Sequence, residues 1–209
     1  MEYQKLYALQ DEVLKIVFET EQIFYLTGGT CLSRFYHPKR YSDDLDFFTH
    51  DNFGFSRALR AIKEKVKKRF HLEEEVTSRD FVRWRIEGLL QVDFVYDSVK
   101  RYKEPVRRED GYVLDTPENI LSNKITAVIG RDNPKDIFDI YLIDKYRTID
   151  WNEIMQAAHE KATFNNDDLI VRLKTFPRAL LKHISLIDPD FLENFSEEFE
   201  KVIAKIEAC

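Results

Sequence analysis

The stretch Phe24 to Phe48, FYLTGGTCLSRFYHPKRYSDDLDFF, contains the pattern from which the rest of the chain can be interpreted. The apolar run at residues 23–26 predicts a short strand, and the turn Thr27-Gly28-Gly29-Thr30 predicts the start of a helix. A second strand follows, and side chains alternate between the faces of a strand, so Asp44 and Asp46 point the same way. Two carboxylates therefore lie close together on one surface.

Two neighbouring carboxylates repel each other unless a cation lies between them, and Mg2+ is a hard divalent cation that prefers oxygen ligands. Gly28 and Gly29 let the backbone approach a ligand, and the following helix N-terminus presents unpaired N–H groups to an anion. A phosphate site beside a metal site predicts phosphoryl or nucleotidyl transfer. The structural alternative is a plain turn followed by helix-capping aspartates, but the order of the elements favours the functional interpretation.

The pattern Gly-Gly-Thr-x-Leu followed by RYSDDLDFF at residues 40–48 resembles the nucleotidyltransferase AbiEii/AbiGii toxin family. That family is a branch of the polymerase-beta-like nucleotidyltransferases, in which Gly-Ser usually stands at the position of Gly29-Thr30, so the hydroxyl is retained. The resemblance implies that Asp44 and Asp46 are catalytic and hold Mg2+, expected as two ions. It implies that a nucleoside triphosphate is bound by Gly28, Gly29, Thr30, Arg40, Ser42 and Lys124.

Composition limits the class of protein. The 209 residues are 44% hydrophobic and 33% charged, which is typical of a globular protein, and no apolar run approaches the ~20 residues of a membrane span. The N-terminus is amphipathic and acidic rather than a signal sequence, and two cysteines do not make a disulfide framework, so we expect a cytoplasmic protein without a membrane partner. The five histidines lack the spacing of a zinc site or a catalytic triad.

A change of pattern near residue 116 predicts two lobes in an α+β fold. Residues 1–115 are expected to form the polymerase-beta-like catalytic lobe with a small mixed sheet, and residues 116–209 a helical lobe that completes the nucleotide cleft. The predicted strands beyond residue 48 are 81–86 and 90–96, joined by a hairpin at Gly88. The predicted helices are 4–20, 52–69, 117–130, 134–147, 151–163, 167–183 and 189–207.

Asp93 is a candidate third carboxylate. It interrupts the apolar run of residues 90–96, and a charge inside such a strand is costly unless it is paired or metal-bound. In polymerase-beta-like enzymes the third acidic residue comes from a later strand of this kind, which implies a metal ligand or general base. The alternative is a solvated aspartate on an edge strand.

The first predicted helices of the second lobe supply a further match to the family. The family pattern is a helical lysine, then an arginine, then a basic-Asp pair and a further aspartate, and it is met in order and spacing by Lys124, Arg131, Lys135-Asp136 and Asp139. The resemblance implies that Lys124 holds the triphosphate and that Asp136 orients Lys124 or polarises the acceptor. The alternatives are that Lys124 extends to solvent and that Asp136 favours its own helix N-terminus.

The resemblance implies the toxin of a toxin–antitoxin or abortive-infection pair, with a cognate antitoxin as partner and RNA, tRNA-like, as acceptor. The net charge of −6 argues against general nucleic-acid coating. A local basic cluster with interleaved tyrosine, residues 100–103 with Arg107 and Arg108, is the candidate RNA contact, and solvated surface charge is the alternative. Two rival functions are transfer to a small molecule or a protein hydroxyl, and a non-catalytic nucleotide-binding module.

Overall fold

A computed structural model describes residues 3–99 and 101–209, which form two compact units. Among the described residues, the first unit comprises 3–31, 42–99 and 104–116, and the second comprises 32–41, 101–103 and 117–209. These units differ from the predicted lobes at residues 32–41, 101–103 and 116, and the functional division of the chain into two lobes stays a prediction. No helix in the described part of the chain is long and apolar enough to cross a membrane.

The first unit contains three helices and one mixed sheet. Its helices are α1 (Tyr3–Thr20), the single turn α2 (Gly28–Cys31) and α3 (Asn52–Lys67). Asp51 caps α3 by accepting a hydrogen bond from the Gly54 N–H at 2.8 Å. The strands are β1 (Tyr25–Thr27), β2 (Asp44–Thr49), β3 (Leu72–Thr77), β4 (Phe81–Ile86), β5 (Leu90–Tyr96), β6 (Val106–Arg107) and β7 (Val113–Leu114).

The seven strands lie in the order β3-β4-β5-β2-β1-β7-β6, which confirms the predicted α+β class with a mixed sheet. The pairs β2–β5 and β1–β7 are parallel, and the other neighbours are antiparallel. In β2 and β4 every second residue is buried, as the alternating sequence predicts. The apolar face of the sheet centres on Phe94, which stacks on Phe47 at 5.2 Å and contacts Trp84 at 4.7 Å between ring centroids.

The second unit is helical, as its sequence predicts. Its α5 is buried on most sides, including Asp136 and Asp139, which makes it the central helix of this unit. A π-helical segment, Leu32–Tyr36, follows α2 directly. The α-helices are α4 (Pro117–Gly130), α5 (Pro134–Tyr146), α6 (Trp151–Lys161), α7 (Asn166–Thr175) and α8 (Phe195–Glu207).

Two predicted helices are wrong in extent. The helix predicted at 167–183 ends at Thr175, because Pro177 disfavours helical backbone at Phe176, and a 3-10 segment, Arg178–His183, follows. The helix predicted at 189–207 begins as a separate 3-10 segment, Pro189–Leu192, before α8 starts. The prediction of uninterrupted helices to the end of the chain is therefore corrected to helices separated by 3-10 turns.

Candidate active site

The polar face of the sheet in the first unit carries Asp44 and Asp46 on β2. Leu45 and Phe47, which alternate with them, are fully buried, whereas both aspartates are half-buried. Since strand side chains alternate, the burial of Leu45 and Phe47 places the two carboxylates together on the opposite face. The predicted pair is thus present as geometry, and its catalytic role stays a prediction.

The turn at Gly28 lies directly against Asp46. Gly28 has a φ of +70°, and a Cβ atom at this position would lie 2.4 Å from Oδ2 of Asp46. A side chain here would be strained by the backbone and would also collide with the carboxylate. Glycine is therefore required at residue 28 both by the turn and by the close approach of the Asp46 side chain.

Thr30 connects the turn to β2. Its hydroxyl is buried and donates to the backbone carbonyl of Asp44 at 2.5 Å. This contact holds the start of β2 beside α2, so the Thr30 hydroxyl is used within the protein. The predicted phosphate contacts of Gly28, Gly29 and Thr30 stay predictions, and the backbone N–H groups of the turn are the donors that fit them.

Asp115 is a buried acidic residue that sequence reasoning missed. It follows β7 and accepts a hydrogen bond from the Thr27 hydroxyl at 2.5 Å and from the Thr116 N–H at 3.0 Å. Its own N–H donates to the Leu26 carbonyl at 2.8 Å. Asp115 therefore fixes the end of β1, from which the glycine turn leaves. The signal available in the sequence was an aspartate directly before the Thr-Pro start of a helix.

Asp93 lies on β5 between Asp46 on β2 and Arg83 on β4, in one cross-strand row. Arg83 donates to both oxygens of Asp93, from Nε at 2.8 Å and from Nη2 at 2.7 Å. Gln91 adds a contact at 3.3 Å to the same carboxylate. Because β5 is an interior strand, the edge-strand alternative for Asp93 is wrong. Its role as a metal ligand stays a prediction.

The chemistry of the donors on this face fits a divalent ion at the Asp44–Asp46 pair. Both side chains are carboxylates, which Mg2+ prefers, and both remain partly accessible. Across residues 3–99 and 101–209, no group of three or more His, Cys, Asp or Glu side chains is gathered closely enough to hold a metal ion. Asp93 does not complete such a group.

Ser42, predicted to bind nucleotide, is buried by α1. Its N–H donates to the Tyr7 hydroxyl at 3.2 Å, and its carbonyl accepts from Gln10 at 3.1 Å. These contacts anchor the loop that leads into β2, and Gln10 is itself fully buried. The nucleotide contact predicted for Ser42 stays a prediction, while its observed contacts are with α1.

In the second unit, Lys124 on α4 lies between two carboxylates of α5. Its Nζ is 2.8 Å from Asp136 and 2.9 Å from Asp139, and the side chain is 12% exposed. Asp136 also accepts two hydrogen bonds from Arg131, at 2.6 and 3.0 Å. The geometry agrees with the interpretation that Asp136 orients Lys124. The alternative that Lys124 extends to solvent is wrong, because its Nζ contacts two buried carboxylates.

Arg40 is buried in the same network. It is 1% exposed and donates to Asp139 from Nε and Nη2, each at 2.8 Å, and from Nη1 to the Tyr41 carbonyl at 2.9 Å. Such a bidentate pair fixes the orientation of the carboxylate. The nucleotide contact predicted for Arg40 stays a prediction. Its observed contact is with Asp139, which in turn contacts Lys124.

The charges of this network shift one another's pKa values. Burial disfavours the charged form of Lys124, but Asp139 and Asp136 outweigh burial and raise the pKa of Lys124 above its ordinary value. Burial favours the neutral form of Asp139, but Arg40 and Lys124 outweigh it and lower the pKa of Asp139. Lys124 therefore remains a cation at neutral pH.

The basic cluster predicted as an RNA contact is largely paired with neighbouring groups. Lys103 contacts Glu118 at 3.0 Å, and Arg108 contacts Asp110 at 3.0 Å. A hydrogen bond to Glu153 raises the pKa of Tyr102 to about 12. Lys100 lies outside the described residues. The observed pairings are surface contacts within the protein, so they do not support an RNA contact over the alternative of solvated surface charge.

The sequence matches a family model described as the nucleotidyl transferase AbiEii toxin of a type IV toxin–antitoxin system, over residues 13–208. Comparison with the curated proteins gave no match.

Solved structures with a similar fold include those of JHP933, MenT4 and the Megavirus polyadenylate synthase. JHP933 from Helicobacter pylori has a TM-score of 0.56 at 20% identity, over 100% of this chain and 90% of that one. MenT4, a nucleotidyltransferase toxin from Mycobacterium tuberculosis H37Rv, has a TM-score of 0.63 at 16% identity, over 98% of this chain and 83% of that one. The Megavirus polyadenylate synthase has a TM-score of 0.50 at 17% identity, over 67% and 32%. At these identities the likeness shows a shared fold.

Proposed function

The chain belongs to the AbiEii nucleotidyl transferase toxin family, and from this premise we propose that it transfers a nucleotide from a nucleoside triphosphate to a hydroxyl group of an RNA, tRNA-like, acceptor. Nucleotidyl transfer itself follows from family membership, so the alternative of a non-catalytic module is not supported. The observation that carries the assignment of the site is the pair Asp44 and Asp46 on one face of β2, with the Gly28 turn packed against Asp46.

In the proposed reaction the acceptor hydroxyl oxygen forms a bond to the α-phosphorus. The bond from that phosphorus to the oxygen bridging to the β-phosphate breaks, pyrophosphate leaves, and the hydroxyl proton passes to water. Mg2+, when bound, supplies positive charge to the triphosphate and to the leaving pyrophosphate. We propose that Asp44 and Asp46 hold it. The expected number of ions is two, held by Asp44 and Asp46, with Asp93 as a candidate third ligand.

Lys124 is proposed to contact the triphosphate as a point charge. Its pKa is raised, so it is protonated at neutral pH, and two of its three N–H groups face Asp136 and Asp139. The third N–H is the one available to a phosphate oxygen. Asp136 and Asp139 would then be positioning residues that fix the ammonium group.

The family description also supports a cognate antitoxin as the protein partner, because it assigns the family to a toxin–antitoxin system. An RNA acceptor rests on the family resemblance rather than on the basic cluster, in which Lys103 and Arg108 are each paired with a carboxylate. A cytoplasmic location, where nucleoside triphosphates and RNA are found together, is part of the same proposal.

The acceptor can be tested by incubating the enzyme with total RNA, Mg2+ and each α-labelled nucleoside triphosphate in turn. We expect label in a fraction that ribonuclease digests, absent with Asp44→Asn, and unchanged with Asp80→Asn, which alters an exposed hairpin aspartate. Label in a protease-sensitive fraction would replace the RNA acceptor by a protein hydroxyl. Label confined to small molecules would favour a small-molecule acceptor.

A further inference from the structure

The guanidinium of Arg83 lies against Asp93, the residue that the sequence predicts as a third metal-ligating carboxylate. Asp46, Asp93 and Arg83 are directly opposite one another across β2, β5 and β4. Asp93, in the middle of this row, therefore has the Asp46 carboxylate on one side and the Arg83 guanidinium on the other. The charge of Asp93 is balanced within the protein.

The pairing of Arg83 with Asp93 is specific in geometry. Two N–H groups reach the two carboxylate oxygens at 2.8 and 2.7 Å, and the Asp93 side chain is 9% exposed. Arg83 also lies over the Phe81 ring, with Cζ 5.4 Å from the ring centroid, which restricts the guanidinium plane further. A guanidinium held in this way is preorganised, so little conformational entropy is lost when it binds an anion.

Arg83 keeps donors for a ligand. An arginine side chain has five N–H donors, and the bidentate contact with Asp93 uses two. Nη1 makes no hydrogen bond with any residue in the described part of the chain, and the side chain is 34% exposed. Arginine donors suit phosphate oxygens, and the carboxylates near Arg83, Asp93 first and Asp46 among the others, raise its pKa.

A second Mg2+ on Asp93 would conflict with this arrangement. The ion would share the Asp93 carboxylate with the Arg83 guanidinium. The two positive charges of Mg2+ would then repel the positive charge of Arg83 at short range. Mg2+ also requires near-octahedral oxygen coordination, and Gln91 already directs an N–H group at Asp93. The described residues bring together no cluster of three acidic, His or Cys side chains that could hold an ion.

We propose that Arg83 takes the place of a second metal ion: it binds the phosphate of the nucleotide that is transferred, Asp93 positions it, and the face holds one Mg2+ at Asp44 and Asp46. This inference rests on the proposed nucleotidyl transfer and adds a substrate-contacting residue to it. It also changes the role of Asp93 from metal ligand to positioning residue.

Binding of Mn2+ alone to the full-length protein, followed by electron paramagnetic resonance, tests the metal count without any transfer. We expect one Mn2+ per chain in the wild type, an unchanged dissociation constant in Asp93→Asn, and loss of that site in Asp46→Asn. Two Mn2+ ions per chain, or binding weakened about tenfold or more in Asp93→Asn, would overturn the proposal. Because acceptor and nucleotide are absent, this result is independent of whether label transfer is ever detected.

Nucleotide binding tests the role of Arg83, with the non-hydrolysable analogues of the four nucleoside triphosphates used in turn. We expect Arg83→Met to weaken the tightest-binding analogue about tenfold or more, and Arg83→Lys to recover part of the loss. The matched control is Arg85→Met, since Arg85 lies on the same strand and face but contacts Glu75. Equal effects of Arg83→Met and Arg85→Met, in variants with wild-type circular dichroism, would contradict a specific phosphate contact.

Discussion

Gly28 connects backbone geometry to the position of a proposed metal ligand. Its φ of +70° and the 2.4 Å separation of a Cβ atom from Asp46 predict that Gly28→Ala displaces the Asp46 carboxylate. We expect a stability loss of about 1–2 kcal/mol and loss of nucleotidyl transfer. Urea unfolding and label transfer measure the two effects.

Gly88 provides the matched control for that substitution. It has a φ of +63° in the β4–β5 hairpin, but nothing lies within 4 Å of a Cβ atom there. Gly88→Ala should therefore lower stability by a similar amount and leave transfer intact. If both variants kept full transfer, the contact between the Gly28 turn and Asp46 would not matter to the site.

Lys124→Met removes the proposed triphosphate charge and keeps most of the apolar stem. The carboxylates it leaves are still paired, Asp136 with Arg131 and Asp139 with Arg40, so we expect the variant to fold. Transfer should fall by about 10²-fold or more, the effect typical of losing one charge-stabilising donor. Steady-state kinetics measure the loss. The control is Lys161→Met, a lysine that contacts Ser122 and Asn123. Equal rates for the two variants would contradict a contact between Lys124 and the triphosphate.

At the residue scale, the sequence predicted positions better than partners. The shared face of Asp44 and Asp46 follows from period-two alternation alone. The pairing of Asp93 with Arg83 requires the register of the β4–β5 hairpin, and that of Arg40 with Asp139 joins residues 99 positions apart. Local pattern contains no information about such contacts, so the sequence does not predict that Arg40 binds Asp139.

At the element scale, the Arg40–Asp139 pair attaches the segment after the π-helical turn to α5. Removing one partner of a buried ion pair typically costs about 3–5 kcal/mol, whereas replacing both partners by apolar residues is often neutral. Because Asp139 keeps its contact with Lys124 at 2.9 Å, we expect Arg40→Met to lose about 3 kcal/mol, the lower end of that range. We expect Arg40→Met/Asp139→Leu to unfold within about 1 kcal/mol of wild type. Chemical denaturation measures the free energy of unfolding of the two variants. Equal losses in both would contradict the conclusion that the unpaired charge, rather than the lost contact, destabilises Arg40→Met.

Asp139 also predicts a dependence of stability on pH. Its folded-state pKa lies below the ordinary value of 3.8, so the unfolded chain binds more protons than the folded chain as the solution is acidified. The contribution of Asp139 to stability is therefore present above that ordinary value and is lost as pH falls through the folded-state pKa. The free energy of unfolding should fall more steeply below pH ~4 in wild type than in Arg40→Met/Asp139→Leu. Parallel curves would show no such contribution.

Elements with a strong periodic pattern were predicted well, and short or edge elements were not. The helix predicted at 117–130 coincides with α4, and the strands predicted at 81–86 and 90–96 coincide with β4 and β5. β3 was not predicted, because its sequence LEEEVT is acidic and shows no alternation of apolar and polar residues. It is an edge strand of the sheet and is mostly exposed. β6 and β7 have two residues each, too few to show a period.

At the scale of the whole molecule, each compact unit contains one charged constellation. The first has Asp44, Asp46 and Asp93 with Arg83, and the second has Lys124 between Asp136 and Asp139. The fold class was predictable because the order of strands and helices is encoded locally. The assignment of residues 32–41 and 101–103 to the second unit was not predictable, because it depends on contacts between residues distant in sequence.

The most direct test of nucleotidyl transfer at the Asp44–Asp46 pair compares α-labelled with γ-labelled nucleoside triphosphate in parallel reactions with Mg2+ and acceptor. We expect the α-label to enter the acceptor, the γ-label to appear in pyrophosphate, and both products to vanish in a folded Asp46→Asn variant. Entry of the γ-label into the acceptor, or wild-type transfer by Asp46→Asn, would contradict nucleotidyl transfer at this pair.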